Sequence, residues 1–238
     1  MKKIIAICPA DDNNWEKFGK NLLNSLRKFH SVEELPFIRV NNPNPADKNW
    51  WYRSTPLLAK QYLEEYETVL KLDSDQLILA PISHIWGIDA DVGVVLNDFA
   101  YPIHVWDIGP QFGTPYFNNG LVVLKSKEFV NHWLRLCNSP HFDRYQFREQ
   151  DILTILTSDY FSYKVDCLDL EDKIHGEWAK SLWPQAKLVD GKVIIPSPLG
   201  GDKQLLVIHF GGGNDPSKGN YRIRFNSEIV KYIDILIK

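Results

Sequence analysis

Apolar residues recur along the chain in two rhythms. Short, nearly continuous runs predict buried strands at Lys3–Cys8, Pro36–Val40, Tyr66–Leu79, Val92–Leu96, Tyr163–Leu168, Val193–Ile195 and Leu205–Phe210. Another such strand follows Phe117-Asn-Asn-Gly120 and ends at Leu124. Between these runs the spacing changes to a helical one. Trp15, Phe18, Leu22, Leu23, Leu26 and Phe29 predict an amphipathic helix, capped by Asp12 or Asn13 and reaching about His30. Further helices are predicted over Trp50–Glu65, Glu128–Asn138, Phe147–Leu156 and Ile229–Ile237, with a short turn or helix over Pro81–Trp86. Asn41–Asn49 reads as a loop, and Tyr101–Pro115, rich in Gly, Pro and aromatics without a period, as a flap or wall beside a site. Lys173–Leu188, with Trp178 and Trp183, fits no single element, and no internal repeat is present.

The opening order of strand, loop, helix and strand predicts an α/β fold with a parallel sheet. Ligands of such sheets lie beyond the carboxyl ends of the strands, so the Cys8–Trp15 loop should face the site. The run Val69–Leu79 is interrupted only by acids at Asp73 and Asp75, with Ser74 between them. In an extended segment residues two apart point to the same side, so both carboxylates can face one site. Two ionised acids on an apolar strand repel each other and lose hydration, and a divalent cation relieves both. Oxygen ligands suit Mg²⁺ or Mn²⁺. The plain alternative is a polar strand end with one Asp closing a turn.

Other candidates also carry two readings. Trp15 belongs to the site loop or to the core. Arg53, in the first turns of its helix, implies a nearby anion or is solvated. Gly120 lets the backbone approach a ligand or merely closes a turn. The helix dipole accounts for Glu149 and Asp151 but not for Gln150 between them. His209 ends a strand as a metal ligand or as a structural histidine. The glycines after it can offer backbone N–H groups to an anion.

Size and charge narrow the classes. The 238 residues suit one large domain or two small ones, and 44% hydrophobic content with eight Trp supports a sizeable core. A net charge of −3 with interspersed signs gives no nucleic-acid tract and no polybasic membrane patch. Cys8, Cys137 and Cys167 form neither a disulfide framework nor a zinc-ligand spacing. The apolar start is too short for a signal peptide, and no run approaches the ~20 apolar residues of a membrane span. The expectation is a cytoplasmic protein without an integral membrane segment.

Taken in order, these segments resemble glycosyltransferase family 8, the glycogenin-like retaining enzymes that include lipopolysaccharide galactosyltransferases. The family's Asp-x-Asp resembles Asp73-Ser-Asp75, its Phe-Asn-Ser-Gly resembles Phe117-Asn-Asn-Gly120, its Asp-Gln-Asp resembles Glu149-Gln-Asp151, and its His-x-x-Gly resembles His209-Phe-Gly-Gly212. The resemblance implies a single GT-A domain over residues 1–238, with a mainly parallel central sheet flanked by helices. It implies Mn²⁺ or Mg²⁺ on Asp73, Asp75 and His209. Trp15, Arg53, Ser74, Asn118, Asn119, Gly120, Asp151, Gly212 and Lys218 would contact a nucleotide-sugar donor, which the resemblance implies is a UDP-sugar. Gln150 and Glu149 would sit at the reacting sugar. The resemblance implies that a hexose passes, with retention, from that donor to a glycan or other hydroxyl acceptor; a homodimer is left open.

Two positions depart from the pattern. Glu149 stands where the family has Asp. The family's phosphate-binding Lys falls at Asp215, with Lys218 three residues on as its substitute. A sugar-1-phosphate nucleotidyltransferase is disfavoured, because Cys8-Pro-Ala-Asp-Asp-Asn13 is acidic and lacks Gly. A degenerate module that binds nucleotide sugar or carbohydrate without turnover is the other reading.

Overall fold

β1 (Lys2–Pro9) is buried on both faces, which is why it reads as an unbroken apolar run: Ile5 and Ile7 enter one core, Ile4, Ala6 and Cys8 the other. The structure, a computed structural model, describes residues 2–97, 103–105, 109–111, 115–169, 173–176, 180–196, 201–210 and 221–238. After β1 come α1 (Asp12–Asn14), a π-helical turn at Trp15–Gly19, α2 (Lys20–Arg27), β2 (Phe37–Val40), α3 (Trp50–Tyr62), β3 (Tyr66–Leu72) and β4 (Gln76–Ile78). A 3₁₀ turn at Ser83–Gly87 leads to β5 (Val92–Leu96), β6 (Ile103–Val105), β7 (Gly109–Gln111), β8 (Phe117–Leu124), α4 (Lys127–Cys137) and α5 (Glu149–Leu156). The remainder holds β9 (Val165–Cys167), β10 (Lys173–Ile174), β11 (Lys187–Val189), β12 (Lys192–Pro196), β13 (Asp202–Leu205), β14 (Val207–His209) and α6 (Ser227–Leu236).

Six strands form the central sheet in the order β2-β1-β3-β8-β5-β9. Three neighbouring pairs are parallel, and β8 runs antiparallel to both β3 and β5. One face is covered by apolar residues of α3, α4 and α5; α4 contributes Phe129, Val130, Trp133 and Cys137, the stripe expected of its spacing. Leu22 and Leu26 of α2 cover the other face. A smaller sheet, β10-β13-β12-β11, packs with α6 and Trp183 in a third core.

Tyr66–Leu79 is not one strand. β3 stops at Leu72, Asp73–Asp75 turn, and β4 leaves to pair antiparallel with β14 outside the central sheet. The apolar residues on either side of the acids serve different cores: Leu70 and Leu72 the central one, Leu77 and Leu79 the C-terminal one. Leu205–Phe210 divides in the same way at Leu206, between β13 and β14. The first helix is capped by Asp11 rather than Asp12 or Asn13, since Asn14 N–H donates to Asp11 Oδ1 at 2.6 Å. Tyr101–Pro115 contains an antiparallel pair, β6 with β7, where no strand was expected. The unplaced stretch after residue 173 forms β10, a 3₁₀ turn at Lys180–Gln185 and β11; its Trp178 lies outside the described residues.

Candidate active site

The turn at the end of β3 and the end of β14 meet. His209 Nε2 lies 3.2 Å from Asp75 Oδ1 and 3.5 Å from Asp73 Oδ2. One ligand atom from each of the three residues lies within 4.8 Å of the others. Main-chain bonds fix this arrangement: Asp73 N–H donates to the Gly120 carbonyl at 2.8 Å, and Phe210 N–H to the Asp75 carbonyl at 3.2 Å. Burial alone would lift the Asp75 carboxyl; the His209 imidazole, through charge and hydrogen bond, holds it below the usual carboxylate range. Two carboxylates and one imidazole converging beyond the carboxyl end of β3 are a donor set that fits a divalent cation.

Gly120 makes room for the imidazole. A Cβ at Gly120 would lie 2.3 Å from His209 Cε1 and 2.4 Å from Nδ1. The glycine of Phe117-Asn-Asn-Gly120 thus serves a side chain of the chain itself.

Beneath the acids lies a residue that the motifs do not mark. Lys71 is only 3% exposed. Its Nζ donates to Asp73 Oδ1 at 2.6 Å and to the Asn119 carbonyl. Asn119 ties the next layer together. Its N–H donates to Gln150 Oε1 at 3.1 Å and its Nδ2 to Glu149 Oε1 at 3.1 Å. Glu149 and Gln150 reach this point because α5 starts there. The preceding residue, Arg148, has φ 54° and ψ −122°, a conformation that costs a non-glycine residue ~1–3 kcal/mol. Arg148 is anchored by Asp143 at 2.9 Å, and Trp133 Nε1 donates to the Glu149 carbonyl at 3.1 Å. The buried atoms Asn119 Oδ1 and Glu149 Oε2 have no hydrogen-bond partner among the described residues. They are the acceptors this site leaves for something else.

Burial pushes the Glu149 carboxyl up to about 8. The folded protein therefore holds a proton there that the unfolded chain releases near the ordinary carboxylate range. Between about 4.5 and 8, this group makes stability fall as pH rises, at about 1.4 kcal/mol per pH unit. Glu149→Gln should flatten that slope in urea melts across pH 5–8; an unchanged slope would mean that Glu149 titrates normally.

The other expected residues are distributed unevenly. Asn118 Oδ1 accepts from Gly120 N–H at 2.6 Å, and its Nδ2 donates to Asn97 Oδ1 at 3.3 Å, so it shapes the strand beside the cluster. Ser74 is half-buried in the turn between the acids. Asp151 accepts from Tyr116 Oη and from Phe147 N–H, both at 2.8 Å. With one oxygen on each donor and 1% exposure, it fastens the start of α5 from within. Trp15 lies in the π-helical turn after β1, half-buried, with the Arg39 guanidinium 5.3 Å from its ring. A Cβ at Gly19 would lie 2.2 Å from the same indole.

Arg53 is not joined to the cluster by any hydrogen bond or ion pair among the described residues. The anion its position called for is Asp47, at 2.5 Å, and its second contact is Asn138 Oδ1 at 3.2 Å. Gly212, Asp215 and Lys218 lie outside the described residues. The sequence reading missed Lys71 and Gly19. A lysine two positions before Asp73 in an otherwise apolar strand was the available signal for the first. The second needs the path of the π-helical turn.

No protein-family model matches the sequence, and no curated protein matches it. Solved structures do. The galactosyltransferase LgtC, solved with donor and acceptor sugar analogues, matches over 98% of this chain and 96% of its own, with 17% identity and a TM-score of 0.62. The bifunctional glycosyltransferase WbbM matches over 98% of this chain with 15% identity and a TM-score of 0.62, but this chain spans only 50% of it. A glycosyltransferase involved in glycosylation of the major capsid of PBCV-1 matches over 91% of this chain and 97% of its own, with 13% identity and a TM-score of 0.58. No described helix is long and apolar enough to cross a membrane. A mixed α/β sheet flanked by helices and nearly full-length overlap with these structures give the chain the GT-A glycosyltransferase fold.

Proposed function

We propose that this chain is a metal-dependent glycosyltransferase of family 8 type, moving a hexose from a nucleotide sugar, UDP-linked by family resemblance, to a hydroxyl of a glycan or other acceptor. The observation that carries this reading is the meeting of Asp73, Asp75 and His209 beside the Asn119–Glu149–Gln150 network. When bound by these three residues, Mn²⁺ or Mg²⁺ would neutralise the charge growing on a departing nucleoside diphosphate. Glu149 Oε2 and Asn119 Oδ1 are buried and await partners, which suits them to sugar hydroxyls. Near neutral pH the Glu149 carboxyl keeps its proton, so it can donate as well as accept.

Gln150 is pinned through its carbonyl to Asn119 N–H, a bond that would hold it steady beside a bound sugar. Its role here is to orient the donor, and it is a poor nucleophile. Retention follows from the family resemblance. Trp15 would stack on the nucleotide base from its π-helical turn.

Release of nucleoside diphosphate from a panel of nucleotide sugars, with Mn²⁺ and with a chelator, tests the reading. Turnover of one donor with Mn²⁺ and none with chelator is expected. Metal-dependent binding without release from any donor, mixed acceptors included, would replace it with a binding module. Gly19→Ala should raise the donor KM about tenfold, since base stacking is worth ~1–3 kcal/mol, and leave Mn²⁺ affinity unchanged. An unchanged KM would remove Trp15 from the donor site.

A further inference from the structure

On the sheet face covered by α2, a second group of titratable side chains takes no part in the proposed transfer. Asp169, just after β9, is fully buried. Its Oδ2 accepts from Leu96 N–H at 2.7 Å and its Oδ1 from His175 N–H at 2.7 Å. The same Oδ1 lies 3.4 Å from His175 Nδ1. A carboxylate held this firmly keeps the imidazole proton on Nδ1 and leaves Nε2 as a lone-pair donor. That Nε2 faces His84 Nε2 at 3.0 Å. His84 is exposed, whereas His175 is 1% exposed. Both line a cleft of about 310 Å³ together with Asp166, Cys167 and Lys173, and no residue of the Asp73–Asp75–His209 cluster lines it.

We propose that His84 and His175 form a second metal site, selective for a borderline transition ion such as Zn²⁺. Three features of the geometry argue for it. Two nitrogens about 2.0–2.1 Å from one tetrahedral ion sit about 3.3 Å apart, close to the spacing of the two Nε2 atoms. The carboxylate behind His175 is the arrangement that orients metal-bound imidazoles and raises their basicity. Among the described residues, the cleft gives the remaining coordination positions room for water or a small ligand. Imidazole nitrogens favour Zn²⁺, Cu²⁺ or Ni²⁺ over Mg²⁺, so the two sites differ in the ions they select. His84 belongs to the turn Ser83–Gly87 and His175 follows β10, so a shared ion would fasten that turn to the smaller sheet.

The test is a Zn²⁺ titration of chelator-treated full-length protein, with Co²⁺ absorption as the spectroscopic readout, on four forms: wild type, Asp75→Ala, His84→Ala and the double variant. His84 is exposed, so its replacement leaves the core intact. Asp75→Ala is expected to retain one Zn²⁺, with a visible Co²⁺ band of tetrahedral type and a Zn²⁺-dependent rise in melting temperature. Adding His84→Ala should weaken that binding at least ~10-fold and abolish the band and the rise. Equal Zn²⁺ affinity in Asp75→Ala and the double variant would overturn the proposal, as would no Zn²⁺ binding to Asp75→Ala. Because the comparison is made without Asp75, it stands apart from whether the main site turns over sugar.

Discussion

Gly120→Ala weakens Mn²⁺ binding ~10–100-fold and lowers the melting temperature by about 5 °C. No proposed metal ligand is changed by this substitution. The new methyl would fall 2.3 Å from His209 Cε1, and its neighbours cannot yield easily. Gly120 sits within β8, its carbonyl accepts from Asp73 N–H, and its own N–H donates to Asn118. The imidazole must therefore swing away from Asp73 and Asp75, or the strand must shift and carry Asp73 with it. Overpacking of this kind costs ~1–3 kcal/mol. Gly87→Ala is the matched control, because a Cβ there meets nothing within 4 Å. Calorimetric titration of Mn²⁺ reads the result; wild-type affinity in Gly120→Ala would remove His209 from the ligand set.

Lys71→Met should separate two quantities that usually move together. The substitution leaves Asp73 Oδ1, which water can partly reach, and the buried Asn119 carbonyl without their donor, a loss of ~1–3 kcal/mol. A fall in melting temperature of about 5 °C is expected. Mn²⁺ affinity should rise, because the cation that occupied Asp73 Oδ1 is gone and the site is one unit more negative. The melting temperature should consequently climb further with Mn²⁺ in Lys71→Met than in wild type. Lys71→Gln, which can still donate to Asn119, should lie between. A variant that is as stable as wild type, or that binds Mn²⁺ less tightly, would show that Lys71 does not restrain the acid cluster.

Much of this was legible because local patterns are local in the structure too. The apolar spacing of α2, α4 and α6 gave their buried faces, and Asp73, Asp75 and His209 do meet. The route by which the acids meet was not legible. Alternation along Tyr66–Leu79 cannot reveal that Leu72 and Leu77 belong to different cores, since either side of the turn is equally apolar. The motif at residues 117–120 suggested a glycine for a ligand approach or for a turn; the structure adds that the space beside it is filled by an imidazole 89 positions later in the sequence. For Arg53, a cation at a helix start implied a nearby anion or a solvated side chain, and Asp47 of the preceding loop is that anion. His84 and His175 carry no shared sequence signal, because the turn and the strand that bring them together are joined only by the fold.

The pairing of β4 with β14 also sets an order of events. Gln76 lies opposite His209 in that ladder, so Asp75 and its imidazole partner come from parts of the chain made far apart in time. An emerging polypeptide carries both acids, Lys71 and the whole of β3 long before it carries a third ligand. Closing so distant a contact is entropically slow compared with forming the helices around it. The cation site therefore forms only once this long-range ladder has closed. A divalent ion bound there would fasten a contact between residues 134 positions apart in the sequence.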